Sequence, residues 1–561
     1  IFVISCFVFF VGYLYYGRYI EKKIGVNPKR KTPAEEQRDG IDYVPTPALV
    51  LFGHHFSSIA GAGPIVGPIM AATAFGWSPA LFWILIGSIF IGGVHDYLAL
   101  FTSIRHRGRS IAQICRDELN PVTYYCFLIF IWLALIYVIV VFVDLTAGTM
   151  APPLATYPEE LRDQKASEYG AVATASIVYL LLAVFFGFSV NSLKISYKKM
   201  SWIFVPLVFA GLWVGTYFPF KCTYFPSLLG DPKKVWIIIL LIYCYIASVT
   251  PVWILLQPRD YLSSFLLYGC LIAGAFGIVI SGLTGKAEIC YSGLKTLNDP
   301  DLGYIFPALF ITVACGAVSG FHSIVASGTT AKQLANEKDA KPVAYGSMLV
   351  EGILAIIALA TIMTVTEIPK GQLPQITFAT GLGNFAATCG LPKVLGQIFG
   401  LLAINTFLLT TLDTCTRLTR FIFEEMIPIK VKAKNFISTF ICVLIPGCIC
   451  FVDINKMPAW KAIWPAFGTT NQLLAAMTLL VVTIWLLKSG KKALFIFLPM
   501  IFMMVTAGTS LVLLAAKRLS KSDYLIGTIS ILMTIITIIL IIDSIMAIKK
   551  INQRNKEGIA N

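Results

Sequence analysis

Four of the five histidines of this chain lie inside apolar segments long enough to cross a membrane. His54 and His55 are consecutive, His95 precedes Asp96, and His322 stands alone. With a rise of about 1.5 Å per residue, all four lie roughly 12 to 14 Å from the same end of their helices. Ionisable groups are costly in a bilayer and imidazole titrates near neutral pH, so this set predicts an ion pathway or a proton relay.

Two other interpretations of these histidines stay open. Each ring could donate to a nearby carbonyl and only hold helices together. A zinc site formed from His54 or His55 with Asp96 and His322 has suitable ligand types, but no close spacing such as HExxH supports it. We therefore predict no metal ligands and no cofactor.

The stretch 53–68, GHHFSSIAGAGPIVGP, brings glycine, proline and serine into an otherwise apolar span. A helix should break there, and backbone freed from helical hydrogen bonds inside a bilayer normally lines a binding site. The freed amides at 57–63 and the helix N-terminus at Pro64 would hold a carboxylate. The predicted substrate-binding residues of this stretch are Ser57, Ser58, Gly61, Gly63 and Pro64.

A second interruption is predicted at 249–261, VTPVWILLQPRDY, where two prolines bracket a short apolar stretch. Pro251 and Gln257 are predicted to complete the substrate site. Arg259 and Asp260 are predicted to act at an inner gate.

Asp413 lies one turn before Arg417 on the same helical face, which predicts an ion pair at the cytoplasmic end of their helix. A structural role and a gating role are both open for this pair. The predicted gate residues are Arg259, Asp260, Asp413 and Arg417.

Composition places these residues in a membrane protein. Of 561 residues, 57% are hydrophobic and 13% are charged, and the mean hydropathy is +0.79. Apolar runs recur at spacings that predict about fifteen spanning helices, an all-α polytopic fold and no soluble domain. The apolar run at the N-terminus has no small-residue cleavage site, which favours a retained helix over a signal peptide.

The net charge of +15 follows the positive-inside rule and does not indicate nucleic-acid binding. This pattern predicts an outside N-terminus and an inside C-terminus. Lys517, Arg518 and Lys521 fall on the other side, so a miscounted helix among the last four spans stays open. The basic loops alternate with acidic or mixed ones and lie at 18–46, 105–116, 194–199, 332–341, 417–434 and 488–492.

The order of the spans predicts an internal repeat. Five spans at 47–217 and five at 234–423 each begin with an interrupted helix, and an odd number reverses the direction of the second group. This is the LeuT-like inverted repeat of secondary transporters. Residues 1–46 would form a peripheral helix and a cytoplasmic loop, and 435–561 the C-terminal helices.

In that architecture a sodium ion lies between the first and eighth core helices, here predicted at 47–76 and 302–330. Ser323 and Ser327 on the second of these could supply hydroxyl ligands, although serine also bonds back to its own helix. Proton and sodium coupling are both open. The predicted coupling residues are His54, His55, Asp96, His322, Ser323 and Ser327.

Several motifs resemble those of the carbon starvation protein A (CstA) family, in order along nearly the whole chain. They are YGRYIEKKIGVNPKRKTPAEEQRDGIDYVPTP, FGHHFSSIAGAGPIVGPIMA, LLQPRDYL, SGTTAKQL, DTCTRLTR and WPAFGTTNQLLA. The resemblance implies an inner-membrane transporter of the LeuT-like superfamily, similar to proteins assigned to uptake of peptides or pyruvate during nutrient limitation. A family name alone does not settle the substrate.

We therefore predict a secondary active transporter in the cytoplasmic (inner) membrane of a prokaryote. It would import peptides or small carboxylates such as pyruvate, by proton or sodium symport, in the response to carbon starvation. Its partners would be the small-molecule substrate, the coupling ion and the lipid bilayer. The alternatives are a metal-ion permease that uses the histidines and an intramembrane hydrolase, for which no Ser/His/Asp or metalloprotease pattern is found.

Overall fold

The computed structural model describes residues 1–556 except 41–42, 119–120, 153, 155–156, 226–230, 252–253, 369–371, 428–430, 432, 453–458 and 521–523. These residues are mostly helical, with one antiparallel ribbon of β1 (Asn298–Asp299) and β2 (Gly303–Tyr304). Among them, 13 helices are long and apolar enough to cross a membrane, and one bent pair brings the number to 14. The prediction of an all-α polytopic membrane protein is confirmed.

The first group of helices runs from the N-terminus to residue 283. They are α1 (Phe2–Val11), α2 (Gly17–Ile24), α3 (Pro33–Glu36), α4 (Ala48–Ile59), α5 (Gly63–Phe75), α6 (Trp77–Gly87), α7 (Gly93–Arg105), α8 (Ile111–Glu118), α9 (Pro121–Met150), α10 (Glu159–Asn191), α11 (Tyr197–Tyr217), α12 (Pro232–Val249) and α13 (Leu256–Leu283).

The second group follows the β-ribbon. Its helices are α14 (Ile305–Thr312), α15 (Gly320–Gly328), α16 (Ser347–Met363), α17 (Pro374–Thr388), α18 (Lys393–Met426), α19 (Lys434–Phe451), α20 (Ala459–Lys488), α21 (Leu494–Ser520) and α22 (Tyr524–Lys556).

The first interruption lies where it was predicted. Helices α4 and α5 form one span that is bent by 45° at residues 60–62. Pro64 follows at the start of α5, where its missing N–H removes no helical hydrogen bond. The broken first core helix is therefore confirmed.

The second interruption separates α14 from α15, at residues 313–319. Helix α14 packs on α5 and α15 packs on α4. The amide of Val44 donates to the carbonyl of Lys332 at one end, and the amide of Lys295 donates to that of Phe75 at the other. The two interrupted spans are thus antiparallel neighbours, which is the organisation of a LeuT-like core.

The stretch 249–261 is a connection between two spans and not an interruption within one. Helix α12 ends at Val249 because Pro251 cannot continue it, and Pro258 lies in the first turn of α13, where proline is tolerated. Residues 252–253 lie outside the described residues. The second interruption had been expected here, and the structure corrects its position.

Three helices contain a wider π-helical turn at one level of the protein. These turns lie at Gly12–Tyr16, between α6 and α7 at Ser88–Gly92, and before α16 at Lys341–Gly346. The hydroxyl of Tyr345 donates to the carbonyl of Ile89 at 3.0 Å, and the ring of Tyr345 lies 6.3 Å from that of Tyr13. The three turns therefore pack against one another.

Lys517, which does not fit the predicted charge pattern, contacts an acidic loop of the protein. Lys517 donates to the carbonyl of Asp301 at 2.7 Å, and Lys461 lies 3.3 Å from the carboxylate of Asp301. These contacts give Lys517 a partner on that side. Which side faces the cytoplasm stays a prediction.

Candidate functional site

The two interruptions touch at the centre of the protein. A Cβ atom on Gly63 would lie 2.4 Å from Sγ of Cys315, and one on Gly67 would lie 2.5 Å from the carbonyl oxygen of Thr312. Side chains cannot pack at such distances, so α5 needs glycine at both positions. The first turn of α5 therefore lies directly against the second interruption.

The first interruption also faces α9 and α18. A Cβ atom on Gly61 would lie 2.7 Å from Oγ1 of Thr411 and 3.2 Å from Cε2 of Phe142. Pro64 borders the other interruption, because its Cα lies 3.6 Å from the position of a Cβ on Gly316. Gly61, Gly63 and Pro64 are thus brought together, next to two residues that the sequence did not single out, Thr411 and Phe142.

The predicted serines donate within their own helices, and Ser323 and Ser327 also accept from the hydroxyl of Thr478 on α20 and the amide of Ile111 on α8. Ser57 and Ser58 both donate to the carbonyl of His54, at 3.1 and 2.8 Å. In α15, Ser327 donates to the carbonyl of Ser323 at 2.6 Å, and Ser323 donates one turn back at 2.7 Å. These bonds agree with the helix-internal alternative, and a part for the serines in binding or coupling stays a prediction.

Side chains of helix α20 form hydrogen bonds with backbone groups on both sides of the second interruption. Oδ1 of Asn471 accepts from the amide of Phe321 at 2.9 Å, and Gln472 donates to the carbonyl of Phe310 at 2.9 Å. These bonds replace the helical partners that an interrupted backbone lacks. A small cavity of about 10 Å³, space for about one water molecule, adjoins Asn471 between α9, α15 and α20, and it is lined by Val138, Phe321, Phe467, Thr470 and Leu474 among others.

Four fully buried side chains form what we call the His322 network: His95, Asp96, His322 and Glu351. Nδ1 of His322 lies 2.7 Å from Oδ2 of Asp96, and Nε2 lies 3.3 Å from Oε2 of Glu351. The other oxygen of Asp96 lies 2.7 Å from Nδ1 of His95. The His322 ring therefore bridges two buried carboxylates, an arrangement that can hold and exchange a proton.

The network joins the interrupted helix to two uninterrupted ones. His322 is on α15, His95 and Asp96 are on α7, and Glu351 is on α16. Because α15 packs against α7 and belongs to the interrupted span, the network links that span to α7 and α16.

The other two histidines have separate partners. Nδ1 of His55 lies 2.8 Å from the hydroxyl of Thr330. Nδ1 of His54 lies 3.8 Å from Oδ2 of Asp260, on α13. The predicted histidine set is therefore divided: His322 contacts Asp96 directly, whereas His54 faces the predicted gate.

Glu351 is the residue of the network that sequence reasoning missed. Within the described residues, its two oxygens have no hydrogen-bond partner beyond the contact with His322. The sequence does carry a signal, since Glu351 is a lone carboxylate in the apolar run SMLVEGILAIIALATIM, and such a residue marks a functional site by default.

A second buried polar group surrounds Arg259, which is fully buried on α13. Its guanidinium contacts Oδ2 of Asp413, and its Nη2 lies 2.5 Å from Oδ1 of Asp260. Nη1 donates to the hydroxyl of Tyr243 at 3.1 Å, and that hydroxyl donates to Asp413 at 2.8 Å. Arg259 also donates to two main-chain carbonyls of α18, those of Leu409 at 3.4 Å and Thr410 at 3.2 Å.

The partner of Asp413 differs from the expected one. The sequence paired it with Arg417, but the structure pairs it with Arg259, because their two helices pack together. Arg417 donates to the carbonyls of Ala247 and Thr250 at the end of α12. Arg259, Asp260 and Asp413 thus form one cluster, with Arg417 one turn away.

Two predicted substrate residues lie apart from the place where the two interruptions touch. Pro251 is exposed in the connection between α12 and α13. Gln257 is half-buried in the first turn of α13. The residues that contact the first interruption and the start of α5 are instead Phe142, Thr411 and Cys315.

Outside the spans, His106 joins the end of α7 to α8. Its Nε2 lies 3.3 Å from Glu118, which also pairs with Lys488 at 2.8 Å. Burial lowers the pKa of His106, but hydrogen bonds with Glu118 and the Thr102 carbonyl outweigh it and leave the pKa above 6.5. Burial raises the pKa of Glu118, but its two cationic partners bring it below 4.5. Both shifts favour the charged forms of His106 and Glu118 at this edge.

In the part of the chain that the structure describes, no group of three or more His, Cys, Asp or Glu side chains is arranged to hold a metal ion. Asp96 directs both oxygens at imidazole nitrogens. The metal-permease alternative thus gains no support from this geometry.

A polytopic helical protein with two crossed, interrupted spans and buried ionisable groups beside them is a membrane transporter. The chain matches the family described as Carbon starvation protein CstA over residues 1–373 and 363–510. It belongs to that family, whose members are transporters and not enzymes.

Named relatives cover most of the chain. The peptide transporter CstA of Bacillus subtilis is 30% identical, over 99% of this chain and 97% of the relative. The peptide transporter CstA of Escherichia coli is 30% identical, and the pyruvate/proton symporter BtsT of the same organism is 31% identical. Each of these two alignments covers 87% of this chain and 77% of the relative.

Two solved structures align with most of this chain. A manganese transporter of Eremococcus coleocola aligns with a TM-score of 0.49 and 14% identity, over 92% of this chain and 99% of that one. MhsT in complex with L-phenylalanine aligns with a TM-score of 0.48 and 12% identity, over 89% of this chain and 99% of that one.

Proposed function

We propose that this protein imports a peptide or a small carboxylate such as pyruvate by proton symport across the cytoplasmic membrane. The observation that carries the proposal is the His322 network, in which a buried imidazole bridges two buried carboxylates beside an interrupted span. The names of the relatives, peptide transporter and pyruvate/proton symporter, support the substrate class and the ion. A role in the response to carbon starvation belongs to the same proposal.

The substrate would bind where the interruptions cross. Gly63 begins α5, and its amide would donate to the carboxylate, since Pro64 has no N–H and the amides of Ile65 and Val66 already donate to the carbonyl of Ala62. Peptides and pyruvate share that group. Phe142 and Thr411 would form the adjoining walls.

The coupling proton would be carried by the His322 network. A proton on His322 balances Asp96, and Glu351 adds a second carboxylate that needs a proton or a cation nearby. His54 and His55 would extend the path toward the basic side, since His54 lies next to Asp260. Arg259, Asp260, Asp413 and Arg417 would close that half of the pathway.

The division of the core into repeats is a further part of the proposal. We assign one repeat to 48–283, with α10 and α11 as an inserted hairpin, and the other to 305–488, with α17 inserted. Equivalent helices pack in equivalent ways, because α13 lies on α4 as α20 lies on α14. This division differs from the predicted 47–217 and 234–423, since the second interruption lies at 313–319.

The test is uptake by purified protein in proteoliposomes. Labelled pyruvate and a panel of di- and tripeptides are each supplied with an imposed proton gradient, an imposed sodium gradient or none. We expect one of these substrates to accumulate with the proton gradient and to fail to accumulate when an ionophore collapses it. Accumulation of a divalent metal in place of every carboxylate would refute the proposal.

A further inference from the structure

The surroundings of the Arg259 guanidinium have the composition of a cation site. Five oxygens from α12, α13 and α18 face its two terminal nitrogens. We call them the Arg259 cage: the carboxylates of Asp260 and Asp413, the hydroxyl of Tyr243 and the carbonyls of Leu409 and Thr410. Carboxylate, carbonyl and hydroxyl oxygens are the ligands that hard cations take in proteins.

The charge of the cage requires a cation inside it. Arg259 supplies one positive charge against two carboxylates, and all three side chains are at most 3% exposed. Within the described residues, Oδ1 of Asp413 is buried without a hydrogen-bond partner. Without the guanidinium, two buried carboxylates would face each other unbalanced, which a protein does not tolerate without a proton or another cation.

The cage also lies beside the transport pathway. Thr410 contributes its carbonyl to Arg259, and the next residue, Thr411, lies against Gly61 at the first interruption. His54, on the same interrupted span, lies 3.8 Å from Asp260. A cation held in this place therefore joins α13 and α18 to the interrupted span.

We propose that the Arg259 cage is a monovalent-cation site that the chain fills with its own guanidinium. Transport then needs no external Na⁺ or K⁺, and removal of the guanidinium opens the cage to a free cation. This inference goes beyond the proposed function, since it uses neither the His322 network nor the identity of the substrate.

The test measures the thermal midpoint of purified protein in NaCl, KCl or choline chloride at equal ionic strength. The wild-type midpoint should be the same in all three salts. Arg259→Gly should lower it in choline chloride, and Na⁺, K⁺ or a few millimolar guanidinium should raise it again. At about a hundred times the dissociation constant, the rise should be about 2 °C for a chain of this size.

Two matched variants separate the cage from a general loss of charge. Arg259→Lys keeps an internal cation and should not respond to the choice of salt. Arg420→Ala removes a guanidinium held by the Ser248 carbonyl at 2.8 Å and by Glu424 at 3.8 Å, and it should not respond either. A folded Arg259→Gly whose midpoint is the same in all salts would overturn the proposal.

Wild-type protein decides the matter if Arg259→Gly does not fold. Its midpoint should not depend on Na⁺ or K⁺, and its uptake should be unchanged in choline medium. A specific rise of the midpoint with either ion, or a requirement for either ion in uptake, would overturn the proposal that Arg259 fills the cage. That result is distinct from failure of the proposed function, which would show as the absence of proton-driven substrate accumulation in the same choline medium.

Discussion

Replacement of His322 by glutamine should uncouple uptake from the proton gradient. His322 lies 2.7 Å from Asp96 and 3.3 Å from Glu351, and all three side chains are fully buried. A glutamine amide can keep a hydrogen bond to Asp96, but it cannot take up and release a proton. Binding and coupling should therefore separate in this variant.

The size of the effect follows from the proton gradient and from the positive charge that the substitution removes. One pH unit is worth about 1.4 kcal/mol per proton, which supports about tenfold accumulation at one proton per substrate. His322→Gln should bring accumulation down to about onefold, while counterflow, which moves no net proton, stays within about threefold of wild type. Glutamine brings no positive charge between the carboxylates of Asp96 and Glu351, so the variant should fold with a lower midpoint.

The assay is uptake and counterflow in proteoliposomes, each normalised to the amount of monodisperse, folded protein. His106→Gln is the matched control, since this histidine lies at the basic edge and outside the His322 network. It should keep the tenfold accumulation at pH 7. Full proton-driven accumulation by His322→Gln would remove His322 from the mechanism and refute the reasoning.

Three further predictions concern other parts of the structure. Gly63→Ala should lower the free energy of unfolding by about 1–3 kcal/mol, and with it the thermal midpoint and the folded yield, because its Cβ would lie 2.4 Å from a sulfur. Gly508→Ala has no atom within 4 Å of its Cβ and should leave the midpoint unchanged. The raised pKa of His106 means that its charged form stabilises the protein fully below pH 6.5 and that this contribution is lost as pH rises through the raised pKa; the difference in midpoint between wild type and His106→Gln should shrink over that window, and a constant difference would contradict it. Tyr243→Phe removes the hydroxyl that donates to Asp413 at 2.8 Å and should cost about 1.5–3 kcal/mol in unfolding free energy; an unchanged midpoint would show that the hydroxyl does not stabilise this carboxylate.

The spans and the first interruption could be predicted because their signals are local. Apolar runs fix the length of each span, and Gly61, Gly63 and Pro64 break the helix in which they occur. The sequence VACGAVS at 313–319 has no proline and carries no comparable signal. That interruption is stabilised by Asn471 and Gln472, which are distant in the sequence, so only the tertiary structure reveals it.

The partners of the buried charges were harder to predict. Spacing along a helix paired Asp413 with Arg417, but the neighbouring α13 brings Arg259 closer. The prediction of an interruption at 249–261 was wrong because prolines fit a connection between spans as well as a break within one. The depth argument did bring Asp96 and His322 together, because residues at one depth on adjacent helices can meet.

The three wide turns at 12–16, 88–92 and 341–346 have an evolutionary consequence. Each turn accommodates one residue more than an α-helical turn does, and each is in contact with at least one of the others, as where Tyr345 donates to the carbonyl of Ile89. Deletion of one residue from any of these helices would rotate the rest of that helix by about 100° and separate it from its neighbours. Insertions and deletions in these three segments should therefore be inherited together, so that among relatives the three lengths change as a set or do not change.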